Sequence, residues 1–386
     1  MCGIFLLRRY ILIVDLKIRW VKIILATQNV VIQTVRTLLF TSGGEKHKIL
    51  IFRTGSIGDS ICAFPALVAI RNHYKYSQVD ILTNAGGGNL VSLDKLLLID
   101  YYDAFIDYSR QSSLVLWKII KNKKYDLIIE LPQDQVSLLT ELRNMFFFRT
   151  AGIRSGWGWQ VNTCFSFRQT QEKTRGFVSE TNRLMSILKA NGVLSKTAVA
   201  YPLNVQEEDF ETARKSLQEA FSSYDHRGLV ALVPGAKRPQ NRYPLERFVE
   251  LAKWLVAKQY NVIVIGGPED IERGATLAFS AEVISFCGKV SPIMSAALIS
   301  HCKVCISNDT GPMHLSYAVG TPVIGLFSSR DFPNKWFPPE GNIALRNSHV
   351  HCSLCLSETC QNNICMQGIS IEEIQNTFIA MEKMIK

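Results

Sequence analysis

The chain lacks any long uncharged apolar segment. Asp15, Lys17, Arg19 and Lys22 interrupt the hydrophobic runs near the amino terminus, well before the roughly 18–20 residues that a membrane-spanning helix needs. The same charges break the apolar region of a secretory signal, and no small-residue cleavage site follows. The sequence therefore predicts neither a transmembrane helix nor a signal peptide.

A complete dinucleotide-binding fingerprint is also missing. Gly55 and Gly58 follow a predicted strand, but the third glycine is absent and no acidic residue ends a second strand at the expected place. This argues against a dehydrogenase or an epimerase that binds a dinucleotide. No recognition motif for nucleic acid accompanies the basic residues, so we expect no nucleic-acid partner.

What the sequence does have is size and positive charge. Its 386 residues are 47% hydrophobic, which is enough for two domain cores. The formal net charge of +10 suits anionic substrates or an anionic membrane surface, without choosing between them.

The first 47 residues form a basic, apolar extension. Helical spacing gives this extension one apolar stripe flanked by cations, formed by Ile11, Val14, Ile18, Val21 and Leu25. We interpret the stripe as an interfacial helix that rests on anionic lipid. A helix packed on the protein's own surface and a misassigned start codon are the alternatives.

Strands and helices alternate from residue 48 onward, which predicts parallel sheets with right-handed crossovers. A first α/β domain covers residues 48–205, where 150–205 are less regular and provide substrate-facing loops and a helix at 179–190. A linker follows at 206–227, a second α/β domain at 228–370, and a helix at 371–386 that crosses back to brace the first domain. We expect two Rossmann-like domains that face a central cleft.

Two stretches at predicted strand ends carry candidate chemistry. Asp59 lies where a first strand delivers its residues into a ligand crevice, although a helix N-cap explains it equally well. In the second stretch, Asn308 or Asp309 caps a short helix whose first turn contains Thr310 and Gly311. The free N–H groups of that turn attract a phosphate, and His314 faces the same crevice; a turn without a ligand is the alternative.

Four motifs in this order resemble glycosyltransferase family 9, the ADP-heptose:lipopolysaccharide heptosyltransferases. The similarity runs from about Lys48 to the carboxyl terminus and rests on Arg53-x-Gly55-x-x-Gly58-Asp59, Pro234-Gly235-Ala236 with Arg242-Tyr243-Pro244-x-Glu246-Arg247-Phe248, Gly266-Gly267-Pro268-Glu269, and Asn308-Asp309-Thr310-Gly311-Pro312-x-His314.

The resemblance implies a GT-B fold and an inverting, metal-independent transfer of a sugar, most simply heptose from ADP-heptose, to a lipopolysaccharide core or related glycan. The first domain would bind the acceptor and the second the nucleotide-sugar. Asp59 matches the general base, Asp309 and His314 match donor contacts, and Glu269 matches the ribose contact. The further positions implied are Ala236, Lys237, Arg238, Asn241, Arg242, Val290, Thr310 and Gly311 for the donor, and Gly55, Ser56 and Gly58 for the acceptor loop.

One position departs from the family pattern. Asn241 stands where the family commonly carries a lysine, and asparagine has no charge to offer a diphosphate. We expect Lys237 or Arg238, from the same loop, to supply that charge. The departure leaves open a family member that uses a different donor, or a catalytically silent module that binds a nucleotide-sugar or glycan.

Four cysteines lie within fourteen residues, at Cys352, Cys355, Cys360 and Cys365. They are a candidate structural zinc site, with reduced unliganded thiols as the alternative, since a cytoplasmic location argues against disulfides. We expect the protein to need no cofactor for catalysis, to bind a lipid-linked acceptor, and to lie on the cytoplasmic face of the inner membrane as a peripheral protein.

Overall fold

The protein divides into two compact units. The computed structural model describes residues 2–41, 43–84, 93–162, 178–194, 199–222, 224 and 228–385, with side chains from Asp15 to Met384. The N-terminal unit contains Met1–Gly55, Ala63–Asp94 and Ile99–Ala200, and the C-terminal unit contains Ser56–Cys62, Lys95–Leu98 and Tyr201–Lys386. The segment Ser56–Cys62, which follows the first strand, therefore belongs to the C-terminal unit.

The sheet of the N-terminal unit has five parallel strands among the described residues, in the order β3-β2-β1-β4-β5. The elements up to residue 190 are α1 (Cys2–Leu39), β1 (Lys48–Phe52), α2 (Ile57–His73), β2 (Gln78–Thr83), α3 (Leu93–Leu96), β3 (Ala104–Asp107), α4 (Ser113–Lys123), β4 (Leu127–Glu130), α5 (Leu138–Thr150), β5 (Ser155–Trp157) and α6 (Glu180–Ala190).

One face of this sheet is covered by α4, α5 and α1. Side chains alternate between the two faces of a strand, so Leu50 and Ile128 point to the same side. There they pack with Ile120 of α4, Met145 of α5 and Ile32 of α1 in one buried cluster. The three helices therefore form a single layer over the sheet.

The predicted lipid-facing stripe of α1 is part of this packing, so that interpretation of the stripe is wrong. Val21 is fully buried, and Leu25 packs against the cluster beneath α5. Ile11 and Val14 have side chains outside the described residues. Within the part of the chain that the structure describes, no helix combines the length and the apolar character that crossing a bilayer requires.

A buried ion cluster fixes α6 to the end of β1. The Arg53 guanidinium lies 3.1 Å from the Glu180 carboxylate, and Arg183 lies 2.7 Å from it. Burial raises the pKa of Glu180, but Arg183 and Arg53 outweigh that effect and hold the pKa below its ordinary value. Ser179 caps α6. Of the predicted substrate-facing loops, residues 163–177 and 195–198 lie outside the described residues.

The C-terminal unit contains a six-stranded sheet among the described residues, in the order β11-β10-β9-β6-β7-β8, again parallel. The elements from residue 207 are α7 (Glu207–Ala220), β6 (Leu229–Val233), α8 (Leu245–Ala257), β7 (Asn261–Val264), α9 (Ile271–Leu277), β8 (Val283–Ser285), α10 (Pro292–Ser300), β9 (Val304–Asn308), α11 (Gly311–Ala318), β10 (Val323–Leu326), β11 (Ile343–Leu345), α12 (Ile364–Gln367) and α13 (Ile371–Ile385).

The predicted linker and the predicted bracing helix both pack within the C-terminal unit. The predicted linker at 206–227 contains α7, whose Ala213 and Leu217 are buried in a cluster with Leu298 of α10; these apolar residues follow helical spacing and need a partner. The terminal helix α13 was expected to brace the first domain. Instead, its Phe378 packs edge-on against Trp254 and Tyr260 of the same unit.

Candidate active site

Asp59 is held at the start of α2, seven residues beyond the end of β1. Its Oδ2 accepts hydrogen bonds from the Ser56 backbone N–H at 2.9 Å and from the Ser56 hydroxyl at 2.8 Å. Asp59 is therefore the third residue of the helix and caps it from inside the first turn, where the helix dipole stabilises a carboxylate. Gly55, just before this turn, has φ of +145°, a conformation that side chains rarely adopt.

The absence of a side chain at Gly58 lets the backbone approach His314 closely. A Cβ atom at Gly58 would lie 2.8 Å from His314 Nε2, too close for any side chain to fit without movement. Both residues belong to the C-terminal unit. The loop that carries Asp59 is therefore packed directly against the fourth residue of α11.

His314 is a buried, neutral imidazole. Its Nδ1 lies 2.9 Å from the Tyr317 hydroxyl and 3.8 Å from Cys62 Sγ. Burial lowers the pKa of His314 to about 4, although the nearby Asp59 carboxylate acts in the opposite direction. At neutral pH His314 can therefore exchange hydrogen bonds but carries no positive charge.

The amino end of α11 differs slightly from the prediction. Thr310, not Asn308 or Asp309, occupies the N-cap position, and the helix begins at Gly311. The Thr310 side chain makes no capping hydrogen bond, which leaves N–H groups of the first turn for an anion. Gly311 also packs against the loop of Asp59, since a Cβ there would lie 3.2 Å from Ile57 Cδ1.

Asn308 joins two loops of the C-terminal sheet. Its side-chain amide donates to the Pro234 carbonyl at 2.8 Å, and its Oδ1 accepts from the Tyr243 backbone N–H at 3.0 Å. It is fully buried, so these contacts satisfy its polar atoms. Asn308 therefore fixes the loop after β6 beside the loop after β9.

Asp309 titrates near neutrality. Burial and the neighbouring Asp331 raise its pKa to about 7, while Arg238, Arg330 and Lys335 act in the opposite direction. Asn241 donates to Asp309 Oδ2 at 3.1 Å and accepts from the Ser328 hydroxyl at 2.7 Å. Asn241 thus orients Asp309, a role that the sequence did not reveal.

The loop after β6 also brings the predicted cations to this strand edge. Ala236 is buried, and its carbonyl accepts from Arg242 Nε at 2.8 Å. Lys237 is exposed, and Arg238 lies 3.5 Å from Glu358. Burial, together with the nearby Arg273, lowers the pKa of Arg242.

Glu269 lies at the carboxyl end of the neighbouring strand β7. It is exposed, whereas the adjacent Asp270 is buried and sits so close to Gly235 that a Cβ there would lie 2.0 Å from Asp270 Oδ2. The loop after β6 and the loop after β7 are therefore in contact. Val290 lies elsewhere, packed against the cluster beneath α7 and α10.

Sequence reasoning missed several residues of the site. Arg330 and Lys335 are buried and act on Asp309, and Tyr317 and Cys62 contact His314. Arg330 follows the carboxyl end of β10, a position typical of ligand-binding residues. The other three belong to no motif in the sequence.

The four clustered cysteines are free thiols that line one small cavity of about 20 Å³ with Arg330 and Asn363. Burial and the three neighbouring cysteines raise the pKa of the Cys352 thiol. Among the described residues, no group of three or more His, Cys, Asp or Glu side chains is arranged to hold a metal ion. The four thiols have the donor chemistry of a zinc site.

A larger cavity lies within the N-terminal unit. It has a volume of about 600 Å³ and opens at the carboxyl ends of β1, β2 and β4, which is where parallel sheets bind ligands. Thr54, rather than the predicted acceptor residues Gly55, Ser56 and Gly58, contributes to it. The lining includes Phe52, Tyr108, Leu116, Glu130, Gln133, Thr140, Arg143, Asn144 and Phe147.

Two Rossmann-like units, each with polar loops at the carboxyl ends of its parallel strands, are the architecture of the GT-B fold. The sequence model of glycosyltransferase family 9 (heptosyltransferase) matches residues 113–365. The chain therefore belongs to this family. The family and the fold expected from the four motifs are both confirmed.

Relatives and solved structures agree with this assignment. Over 300 residues the chain is 24% identical to lipopolysaccharide heptosyltransferase 2 of Salmonella typhimurium (strain LT2), covering 74% of this chain and 84% of the relative. A family 9 glycosyltransferase from Veillonella parvula DSM 2008 superimposes with a TM-score of 0.69 at 19% identity, covering 89% of this chain and 99% of that one. For the E. coli ADP-heptose heptosyltransferase II the TM-score is 0.63 at 19% identity, covering 87% and 99%.

Proposed function

We propose that the protein transfers heptose from ADP-heptose to a lipopolysaccharide core or a related glycan, with inversion at the anomeric carbon and without a catalytic metal. Several curated relatives are named lipopolysaccharide heptosyltransferases, and the E. coli heptosyltransferase WaaC has been solved with ADP-2-deoxy-2-fluoro heptose. The observation that carries the proposal is the Asp59 carboxylate, fixed by Ser56 beside His314 in the unit that also contains the amino end of α11.

Asp59 is the general base of this mechanism. It takes the proton of the acceptor hydroxyl as the hydroxyl oxygen bonds to the anomeric carbon. The bond from that carbon to the diphosphate oxygen breaks, and ADP leaves with the electron pair. A single displacement of this kind inverts the anomeric configuration.

The leaving diphosphate is stabilised by backbone N–H groups and cations. The uncapped end of α11 at Thr310 and Gly311 faces the developing charge with N–H groups and the positive end of the helix dipole. Lys237 or Arg238 supplies the charge that Asn241 lacks. Neutral His314 contributes a hydrogen bond at the same place.

The remaining donor contacts come from the loops after β6, β7 and β9. Asp309 orients sugar hydroxyls, since like charges keep it from the diphosphate, and Asn241 holds Asp309 in place. Glu269 binds the ribose hydroxyls. The other proposed donor positions are Ala236 and Arg242, whereas Val290 packs against the cluster beneath α7 and α10.

We assign acceptor binding to the N-terminal unit, and Gly55, Ser56 and Gly58 are the proposed acceptor-loop positions. The cavity of about 600 Å³ combines aromatic walls with the polar side chains of Arg143 and Asn144. Such a lining suits a sugar attached to a lipid.

We place the protein on the cytoplasmic face of the inner membrane, as a peripheral protein without a nucleic-acid partner. The free state of the eight described cysteines supports a reducing compartment. If a structural metal binds, Cys352, Cys355, Cys360 and Cys365 would hold it after their side chains rotate. Metal analysis of protein purified without added zinc decides between that site and free thiols.

The direct test is incubation with a panel of nucleotide-sugars, with and without a lipid-linked acceptor. We expect ADP release from ADP-heptose that depends on the acceptor. Release from a different nucleotide-sugar would reassign the donor. Tight donor binding without turnover under any condition would identify a silent binding module and overturn the proposal.

A further inference from the structure

The helix α1 is apolar on two opposite sides. One side, which includes Val21 and Ile32, is fully buried against the N-terminal unit. Leu16, Trp20, Ile23 and Val30 are between 49% and 63% exposed, and at about 100° per residue they fall on the side opposite Val21. Arg19, Thr27 and Thr34 are exposed on the same side, so the outward surface of α1 mixes large apolar side chains with polar ones, as an interfacial helix does.

The same exposed apolar character continues across the helix layer. On α5, Leu139 and Phe146 are 77% and 52% exposed, and on α4, Leu114 and Val115 are 64% and 45% exposed. The structure describes eighteen exposed large apolar residues. Nine of them, including Leu38 of α1, lie on α1, α4 and α5. The exposed apolar residues are therefore concentrated on one layer.

The charges on this layer are almost all positive. Among the described side chains of the three helices, the exposed acidic residue is Asp15, which pairs with Arg19 at 3.3 Å, while Glu141 is buried. The basic residues are Lys17, Arg19, Lys22, Arg36, Lys118, Lys121, Arg143 and Arg149, together with Lys123, which pairs with Asp80 at 2.7 Å. The layer is therefore both apolar and cationic.

We propose that the outward side of α1, continued by α5 and α4, docks on an anionic phospholipid bilayer. Exposed Trp, Ile, Leu and Phe side chains insert at the acyl boundary, and the flanking Lys and Arg side chains bind anionic headgroups. A second copy of this chain fits the same layer poorly, because a self-complementary contact would place the cations of one copy against those of the other.

The docking layer also borders the cavity of the N-terminal unit. Leu116 of α4 and Thr140, Asn144 and Phe147 of α5 line that cavity. A lipid-linked acceptor could enter it without leaving the bilayer surface. This step rests on the proposed function, whereas docking itself requires neither donor nor acceptor.

The test is co-sedimentation of the full-length protein with vesicles, without substrates. Vesicles are either phosphatidylcholine alone or contain roughly one-third phosphatidylglycerol. We expect binding to the anionic vesicles that weakens with added salt. The double variant Trp20→Ser/Ile23→Ser should lower the partition coefficient of the protein onto vesicles by about tenfold or more. The double variant Arg19→Gln/Lys22→Gln should lower it by about tenfold or more on anionic vesicles only.

A matched control is Lys75→Gln/Tyr76→Ser, just beyond the end of α2, where Tyr76 is 94% exposed; it should bind like the wild type. All substituted residues are exposed, so melting curves should be unchanged. Equal binding by the wild type and the Trp20/Ile23 variant would overturn the proposal. The proposal would also be overturned if the wild type formed a dimer and bound no vesicles, while the Trp20/Ile23 variant was a monomer.

The same preparations separate docking from catalysis. The variants should release ADP from ADP-heptose normally when the acceptor is dispersed in detergent. Vesicle binding by a wild type that never releases ADP would refute the proposed function and leave the docking intact. Normal release of ADP by a wild type that binds no vesicles would refute the docking alone.

Discussion

Asp59 is oriented by the turn of the chain in which it lies. The Ser56 N–H and hydroxyl both donate to one carboxylate oxygen, and Gly58 allows the imidazole of His314 to approach the backbone of the same turn. A base that is already oriented loses little entropy when it meets its substrate. Substitutions in this turn should show how much its packing against α11 contributes to stability and turnover.

Gly58→Ala should reduce both stability and turnover, because its Cβ would lie 2.8 Å from His314 Nε2. We expect a loss of about 1–3 kcal/mol in the free energy of unfolding, measured by urea denaturation. In a His314→Ala background the same substitution should cost at least about 1 kcal/mol less. Equal costs in the two backgrounds would show that the two residues do not touch.

Asp309 should make stability depend on pH between about 4 and 7. The folded state keeps the Asp309 proton until about pH 7, whereas the unfolded chain loses it near pH 4. The Asp309 contribution to stability therefore falls as pH rises through this window and is constant above it. Asp309→Asn, which keeps an acceptor for Asn241, should become more stable than the wild type by about 2 kcal/mol at pH 8, with little difference at pH 4. A difference that does not change with pH would refute the raised pKa.

Motifs predicted residues that lie in loops, and they missed residues that act through packing. Asp309 and His314 were predicted because the sequence places them on a strand–turn–helix unit. Lys335 and Cys62 reach the site only when distant segments pack, and no local pattern in the sequence marks them. The role of Asn241 was hidden for the same reason, since its partner Ser328 is 87 residues away.

At the scale of elements, the loop after β6 is the main donor-binding segment of the proposed mechanism. It carries Lys237 and Arg238 beside Asn241, whose side chain is committed to Asp309 and Ser328. In the proposed mechanism the diphosphate therefore relies on the two cations of this loop and on the end of α11.

Lys237→Gln/Arg238→Gln should weaken ADP-heptose binding by about tenfold to a hundredfold, as expected for the loss of charge-assisted hydrogen bonds. Isothermal titration calorimetry measures this directly. Lys258→Gln, an exposed residue just beyond α8, is the matched control and should bind the donor normally. Unchanged affinity in the double variant would reject these cations as diphosphate ligands.

The same scale shows where helical periodicity is insufficient. The stripe on α1 was detected from the sequence, but α1 has two apolar sides, and the sequence cannot say which one meets the protein. For α13, periodicity predicts a packed helix, while only the contacts of Phe378 with Trp254 and Tyr260 show which unit it packs on.

At the scale of the whole molecule, alternating strands and helices predicted two parallel sheets because fully buried strands such as β6 and β10 are continuous apolar runs in the sequence. The order of strands within each sheet was not predicted, since it depends on crossovers that the sequence does not display. The extent of the units was also hidden. Ser56–Cys62 belongs with the C-terminal unit because of contacts made by Ile57, Gly58 and Cys62, not because of their position in the chain.

The most direct test of the account is the single-turnover rate of Asp59→Asn with ADP-heptose and a lipid-linked acceptor, alongside the dissociation constant for the donor. Asparagine has nearly the same shape but cannot take the acceptor proton. We predict a rate lower by about 10²–10⁴-fold and a donor affinity within about twofold of the wild type. A variant that transfers sugar within about threefold of the wild-type rate would contradict the role of Asp59 as the base.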